Sequence, residues 1–403
     1  MSGRMDVTGA RPRLSYEVRV ATNADAAAIR RFNQRLRAGG AAHGLPARGA
    51  LPYELHQRGS GIPMFRELLI AADPEEVRAG VLLYHDAIAI RGIEQPFCWL
   101  QLPVSEGIVE RRHSVAIVVL LAHVLERERL LMALGVGSLD EAYAKVLLEL
   151  GWRWARIPFA FHAVRPSRVL AGLTYLRTRP RIRAAADVLA RSGAGAVAEQ
   201  ALRAARGYQR LRLREFELQV VPEFGSWADR VYRDAAPEYG AAVTRDAATL
   251  NARYPPDDLR YTRLRLRRRN SGEECGWLVV VDAQMRGNKY FGDLHVGTLV
   301  DGFGPCRYVS RLVGAGLNHL ATKGVDLVVA NWSHEAWVGA SRRTGCLLGP
   351  SNYFVFVSPQ GHPLLEAALP LGAMHLTRGD GDGPGQLLPS PTRGSTPPPP
   401  STA

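Results

Sequence analysis

The sequence predicts an α/β (α+β) protein made of two consecutive units, each a mixed, mostly antiparallel twisted sheet flanked by helices, joined by a helical linker. Three observations carry this reading. The chain has 403 residues, more than one average domain, so two domains of ordinary size are expected. In Trp99–Leu121 a strand-like run, a polar Arg-rich turn (Glu106 to Ser114) and an apolar helical run follow one another without a gap. The chain then repeats this in Phe291–Leu320, with a Gly-rich turn, and both copies are followed by a short strand and a second helix ending in glycine. A strand that feeds a buried helix through such a turn offers unpaired N–H groups and the positive end of the helix dipole to a phosphate.

The elements can be justified in order. Tyr16–Ala21 alternates as a first strand, and Asn23–Asp25 supplies caps for a helix over Ala26–Leu36. Gly39–Gly61 is rich in Gly, Pro and His without periodicity, a long loop of the kind that often grips substrates. Phe65–Ala72 and Val77–Ala89 pair as antiparallel strands across Asp73–Glu76, and Cys98–Val104 enters the first turn. Val115–Leu125 is too continuously apolar for a surface helix. Leu130–Val136 reads as a buried strand, Ser138–Gly151 as a helix stopped by its glycine, and Trp152–Val164 as one aromatic strand.

From Arg165 to about Leu213 the chain turns to Arg and Ala at helical spacing, broken at Pro180 and Gly193–Gly195. Phe216–Val221 opens the second unit, with a helix at Trp227–Tyr232, helix or turn at Arg245–Tyr254, and strands at Tyr261–Leu266 and Cys275–Ala283. Asp326–Ala330 is a buried strand, His334–Arg343 a helix closed by Gly345, and Tyr353–Val357 a last strand. After Pro359 the apolar periodicity fades, and Gly379–Ala403 cannot bury a core. The expected boundaries are a disordered N-terminus (1–14), a first unit (15–165), a linker (166–213), a second unit (214–359) and a disordered Pro/Gly-rich tail (360–403).

Composition narrows the class. Hydrophobic residues make up 46%, enough for two cores. No run approaches the roughly 18 apolar residues of a membrane span, and Met1–Arg19 lacks the apolar core of a signal peptide, so a cytoplasmic location is expected. Cys98, Cys275, Cys306 and Cys346 are scattered, without a CxxC pair or zinc-ligand spacing, so reduced thiols and no metal are expected. The net charge of +13 would ordinarily point to nucleic acid, yet only Lys145, Lys289 and Lys323 are lysines, and the arginines sit in an Ala- and Gly-rich background. Arg260–Arg269 alternates Arg with Tyr261, Leu264 and Leu266, as a strand with one face in water would.

This order of elements, with helices ending LGW and TGC, resembles the GNAT N-acetyltransferase fold, and two copies in one chain resemble a tandem GNAT protein. Glu17–Gln34 (EVRVATNADAAAIRRFNQ) has the cadence of that family's first strand and helix. The resemblance implies an Arg/Gln-x-x-Gly-x-Gly/Ala turn whose N–H groups hold the pyrophosphate of acyl-CoA. Arg111-x-x-Ser114-x-Ala116 is the nearest register, with serine in place of a glycine. The implied cofactor contacts are Val109, Arg111, Arg112, Ser114 and Ala116 in the first copy, and Gly302, Gly304, Arg307 and Arg311 in the second. The tyrosine that the family places near the end of its second helix falls on Leu147 and Ser341, with Tyr143 and Tyr353 as loose substitutes.

The implied activity is N-acyl transfer from acetyl-CoA or another acyl-CoA to a small-molecule or sugar amine. Such a transfer needs the two reactants in line, a base or water path for the amine proton, and donors for the developing oxyanion. Glu106 in the first copy, and Asp293 or His295 in the second, lie on or beside the strands that lead into the turns and are the candidate bases. His113 and His123 follow the same logic, with His123 expected on a helix face, and Asp301 reads equally as turn chemistry. Two other classes share the pattern. Fem-like peptidyltransferases of envelope synthesis also use tandem GNAT architecture, with aminoacyl-tRNA as donor, and RNA binding would distinguish them. A catalytically inactive GNAT-fold binding module would bind no acyl-CoA. Acyl transfer leads, because loss of one glycine is tolerated more easily than loss of an activity; acceptor and acyl chain stay open.

Overall fold

The computed structural model describes residues 15–41, 43–46, 53–56, 61–174, 213–366, 371–381 and 383. The expected N-terminal tail, nearly all of the linker and the Pro-rich end of the tail lie outside the described residues. The chain clusters into two compact units that do not follow the two sequence copies. One comprises Met1–Glu54, Phe65–Tyr84 and Leu100–Arg129, and the other Leu55–Met64, His85–Trp99 and Leu130–Ala403.

In the first unit β1 (Glu17–Val20) leads through a capped turn into α1 (Ala26–Ala38). Asp25 secures the turn by accepting from Thr22 N at 2.8 Å and from both terminal nitrogens of Arg19. Ile29, Phe32 and Leu36, spaced three and four apart, bury one face of α1 against Leu68, Ile70 and Val77. After β2 (Tyr53–His56), strand β3 (Met64–Ala72) pairs antiparallel with β1. Strands β4 (Val77–Ile90) and β5 (Ile93–Ser105) follow, which belong to this unit only over 77–84 and 100–105, and then helix α2 (Ser114–Arg127). α2 buries Ala116, Leu120, Leu121 and Val124, but Val115 and Val118 are 57% and 41% exposed. An apolar run this continuous read as buried all round; the structure covers one face only.

In the second unit come β6 (Leu131–Val136), α3 (Ala142–Glu149), β7 (Arg153–Arg156), β8 (Phe159–Ala163) and α4 (Pro166–Gly172). They are followed by β9 (Phe216–Val221), α5 (Ser226–Ala235), β10 (Ala241–Val243), α6 (Ala247–Arg253), β11 (Thr262–Arg268), β12 (Glu274–Gln284) and β13 (His295–Phe303). The last elements are α7 (Val309–Thr322), β14 (Leu327–Asn331), α8 (Glu335–Arg343), β15 (Leu347–Gly349), β16 (Phe354–Val357), α9 (His362–Leu365) and β17 (Met374–His375). A seven-stranded sheet runs β15-β8-β14-β13-β12-β11-β9. Its core holds Trp277, Leu278, Leu299, Phe303, Leu312, Val313 and Trp337. Gly276, at φ +128°, lets β12 pass close under β13, since an added methyl would stand 2.5 Å from the carbonyl oxygen of Phe303.

The predicted aromatic strand Trp152–Val164 breaks at Pro158, which has no N–H to donate. Its first part, β7, pairs with β16, while its second part, β8, pairs with β14 and β15. β16, which ends the second copy, also pairs with β6 of the first. The last strand of each copy is thus built into the sheet of the other.

Part of the tail expected from 360 is built into the fold. Met374, His375, Leu376, Thr377 and Asp380 are all at most 1% exposed, and β17 pairs with β10. The segment is too short to show periodicity, and three of these five anchors, His375, Thr377 and Asp380, are polar side chains. Arg263, read as part of a solvated strand face, is 4% exposed and donates to the carbonyl oxygen of Tyr254 at 3.0 Å. Among the described residues no helix is long and apolar enough to cross a membrane.

Candidate functional site

The first turn is built from the end of β5 to the start of α2. Ser105 caps it by accepting from Gly107 N at 3.1 Å, and two short 3-10 turns, Glu106–Ile108 and Arg111–His113, carry the chain into the helix. Gly107 is the residue that makes the turn tight, since a methyl there would stand 2.6 Å from Cα of Ser114. The Ser114 hydroxyl donates to the Arg111 carbonyl at 2.7 Å, and Ala116 is fully buried. Val109 packs in the space left by Gly39. Arg111 and Arg112 are exposed at the helix start. Arg112 is held by Glu110 at 2.5 Å, whereas Arg111 has no ion pair among the described residues.

Glu106 sits behind this turn, 2% exposed. Arg35 Nε donates to its Oε1 at 2.6 Å and Arg78 Nη1 to its Oε2 at 2.9 Å. Burial pushes the carboxyl up, but the two guanidinium groups outweigh it and hold it below the usual carboxylate range. His113 is 1% exposed; its Nε2 accepts from Arg112 Nε at 3.1 Å, which leaves the proton on Nδ1, 3.3 Å from the Tyr16 hydroxyl. Burial, and then the charge of Arg78, lower its pKa, so the ring is neutral. His123 lies exposed on α2 as expected.

The second turn is packed differently. A methyl at Gly302 would stand 2.5 Å from Leu278 Cδ2 and 2.8 Å from the Trp337 ring, and one at Gly304 would stand 2.6 Å from the Cys275 carbonyl oxygen. Both glycines serve close packing. The Cys306 N–H, which opens the 3-10 turn before α7, donates to Glu238 Oε2 at 2.7 Å. Arg307 is 61% exposed and pairs with Glu273 at 3.2 Å, while Arg311 lies 5.9 Å from the Phe216 ring. Burial pushes the Cys306 thiol up to about 11, so it is not a thiolate at neutral pH.

The sequence-derived bases of the second copy are not brought to its turn. His295 opens β13 and the turn follows Phe303, so the length of the strand, about 26 Å at roughly 3.3 Å per residue, separates them. His295 Nε2 lies 2.9 Å from Asp282 Oδ2, and Asp293 Oδ1 accepts from Gly287 N at 2.7 Å in the preceding loop. At the positions of the family tyrosine, Leu147 is fully buried, and the Ser341 hydroxyl donates to the Trp337 carbonyl at 2.9 Å.

Asp301, read as turn chemistry, belongs to a buried ionic cluster. Arg245 Nε lies 3.2 Å from its Oδ1 and Tyr254 donates to its Oδ2 at 2.9 Å, with the side chains of both Arg245 and Asp301 fully buried. Neither this cluster nor Glu238 carries a sequence motif.

No protein-family model matches the chain, and no curated protein matches it. It is similar in structure to a conserved protein of unknown function from Enterococcus faecalis, described as a probable N-acyltransferase. That likeness has a TM-score of 0.50 at 9% identity over 88% of this chain and 75% of the other. It is also similar to Saccharomyces cerevisiae N-myristoyltransferase with bound myristoyl-CoA, at 7% identity and TM-score 0.46 over 87% and 85% of the two chains. A tandem GNAT protein from the clavulanic acid biosynthesis pathway matches at 13% identity and TM-score 0.44, over 85% of this chain and 98% of that one. Among the described residues, strand, turn and helix are present twice and the strands form two mixed sheets, a fold similar to that of the Enterococcus faecalis protein.

Proposed function

We propose that the chain is an acyl-CoA-dependent N-acyltransferase whose first turn holds the donor's pyrophosphate and whose acceptor is a small-molecule or sugar amine. The observation that carries this reading is the state of Arg111: an exposed guanidinium without an ion pair among the described residues, at the start of a 14-residue helix. Guanidinium, helix dipole and first-turn N–H groups together favour a phosphate. The second turn has its Cys306 N–H committed to Glu238 and its glycines committed to packing, which supports assigning the donor to the first.

In the reaction the amine lone pair attacks the thioester carbonyl, the C–N bond forms, the C–S bond breaks, and the amine proton leaves as the CoA thiolate gains one. Glu106 is a poor base for this step, because both of its oxygens are engaged by arginines and its pKa is lowered. We assign it to holding the turn in shape, and the proton to solvent.

The test is the thermal midpoint of the purified chain with and without acetyl-CoA, longer acyl-CoAs and free CoA. A rise that Arg111→Ala removes supports the reading. The same midpoint with every CoA would leave a GNAT-fold binding module as the better account.

A further inference from the structure

Adjacent parallel strands that part at their carboxyl ends leave a crevice with unpaired backbone groups, the usual ligand site of open α/β sheets. β13 and β14 are such a pair. Their ladder runs from Val296↔Leu327 to Leu299↔Ala330 and stops. Beyond it, the carbonyl of Val300 and the backbone of Trp332 and Ser333 find their partners elsewhere in the chain.

Those partners come from residues 374–380. Gly379 N donates to the Val300 carbonyl at 2.9 Å, Ser333 N to the Leu376 carbonyl at 3.0 Å, and Leu376 N to the Ser333 hydroxyl at 2.6 Å. Trp332 and Thr377 form an antiparallel bridge. His375 Nε2 donates to the Gly302 carbonyl at 2.8 Å, and Arg378 Nε to Asn331 Oδ1 at 2.9 Å. On its other side the segment is anchored through β17 to β10, with Ala241 opposite Met374.

Charge fixes the far end. Arg245 Nη2 lies 2.7 Å from Asp380 Oδ2, and Arg253 pairs with Asp380 at 3.2 Å and with Asp86. The side chains of Arg245, Asp301 and Asp380 are fully buried. Withdrawing the segment would strip Asp380 from two buried guanidinium groups and open the space beside Asp301, which buried ion pairs tolerate poorly.

We propose that residues 374–380 are the resident occupant of the second copy's strand crevice, a built-in ligand that closes it, so that the chain binds one acyl-CoA and not two. The count of one rests on the function proposed above; the closure does not. The test is amide hydrogen exchange on the full chain, read at Leu376 and Gly379, with native mass spectrometry for stoichiometry. Expected are slow exchange at both amides in the free chain, the same protection at saturating acetyl-CoA, and one ligand bound. Fast exchange in the free chain, protection lost on adding acetyl-CoA, or two ligands bound would each overturn the proposal. No bound ligand with slow exchange would fail the acyltransferase reading and uphold the closure. Gly379→Ala adds a methyl 1.9 Å from the Tyr254 hydroxyl and should speed exchange at both amides by tenfold or more, leaving the Arg111-dependent midpoint shift in place.

Discussion

Glu238 Oε2 accepts a hydrogen bond from the backbone N–H of Cys306 at 2.7 Å, at the start of the second turn. The chain thereby supplies its own anion where a bound phosphate would otherwise meet the helix. Replacing Glu238 with Ala should remove the equivalent of a helix cap, lowering unfolding free energy by about 1 kcal/mol. Urea titration measures it, and an unchanged midpoint would mean that the carboxylate contributes nothing there.

Arg111→Ala should weaken acetyl-CoA binding by roughly ten- to hundredfold, the worth of a charge-assisted contact of about 1.5–3 kcal/mol. Arg307→Ala should leave affinity within about twofold, because its guanidinium is already paired with Glu273. Isothermal titration of both variants decides between the turns, and the opposite ranking would move the donor to the second copy.

Glu106→Gln takes one of two counter-charges from Arg78, which keeps Asp73 at 2.6 Å, and from Arg35, which keeps Glu76 at 3.4 Å. A loss of about 2 kcal/mol is expected, the worth of a charge-assisted hydrogen bond rather than of a stranded buried charge. The wild-type carboxyl is held below the usual range, so its contribution is present above the ordinary carboxylate pKa and lost as pH falls through the lowered one. The variant should therefore show a flatter stability profile in acid than the wild type. A steeper one would mean that Glu106 is not held ionised in the folded chain.

His334 is buried, and burial lowers its pKa to about 4. Between its ordinary value of 6.5 and about 4 the unfolded chain binds a proton that the folded chain refuses, so stability falls as pH drops through that window. The neighbouring His375, buried completely and lowered as well, adds to the same trend. His334→Asn, which can keep the cap on the Ala336 N–H, should reduce the slope of unfolding free energy against pH between 6.5 and 4.

The strand, turn and helix were legible twice because long apolar runs interrupted by Arg or Gly are unambiguous at their periods. What a run pairs with was not. Phe159–Ala163 reads as a strand wherever it lies, and nothing in FAFHA says that it joins β14 and not β7's neighbours. Glu238 and Cys306 are 68 residues apart, and Arg245 and Asp380 are 135 apart; no local pattern encodes such pairs. The placement of His295 follows from the order of the elements. A helix that follows a strand starts at the strand's far end, so a residue opening that strand stands a full strand length from the helix N-terminus. At Glu106 the residue itself was legible, but Arg35 and Arg78, 71 and 28 residues away, were not, and with them the reason that its carboxyl is held low and engaged on both oxygens.

The exchange of β8 and β16 bears on how the chain reaches its native state. β8 needs β14, about 165 residues downstream, and β6 needs β16, more than 200 residues downstream, so neither sheet can be completed before almost the whole chain has been synthesised. A fragment ending at Gly172 would be expected to lack β16 and expose the edges of β6 and β7, which are ready templates for aggregation. Two fragments divided between Gly172 and Leu213 should instead complement each other when expressed together, each finishing the other's sheet.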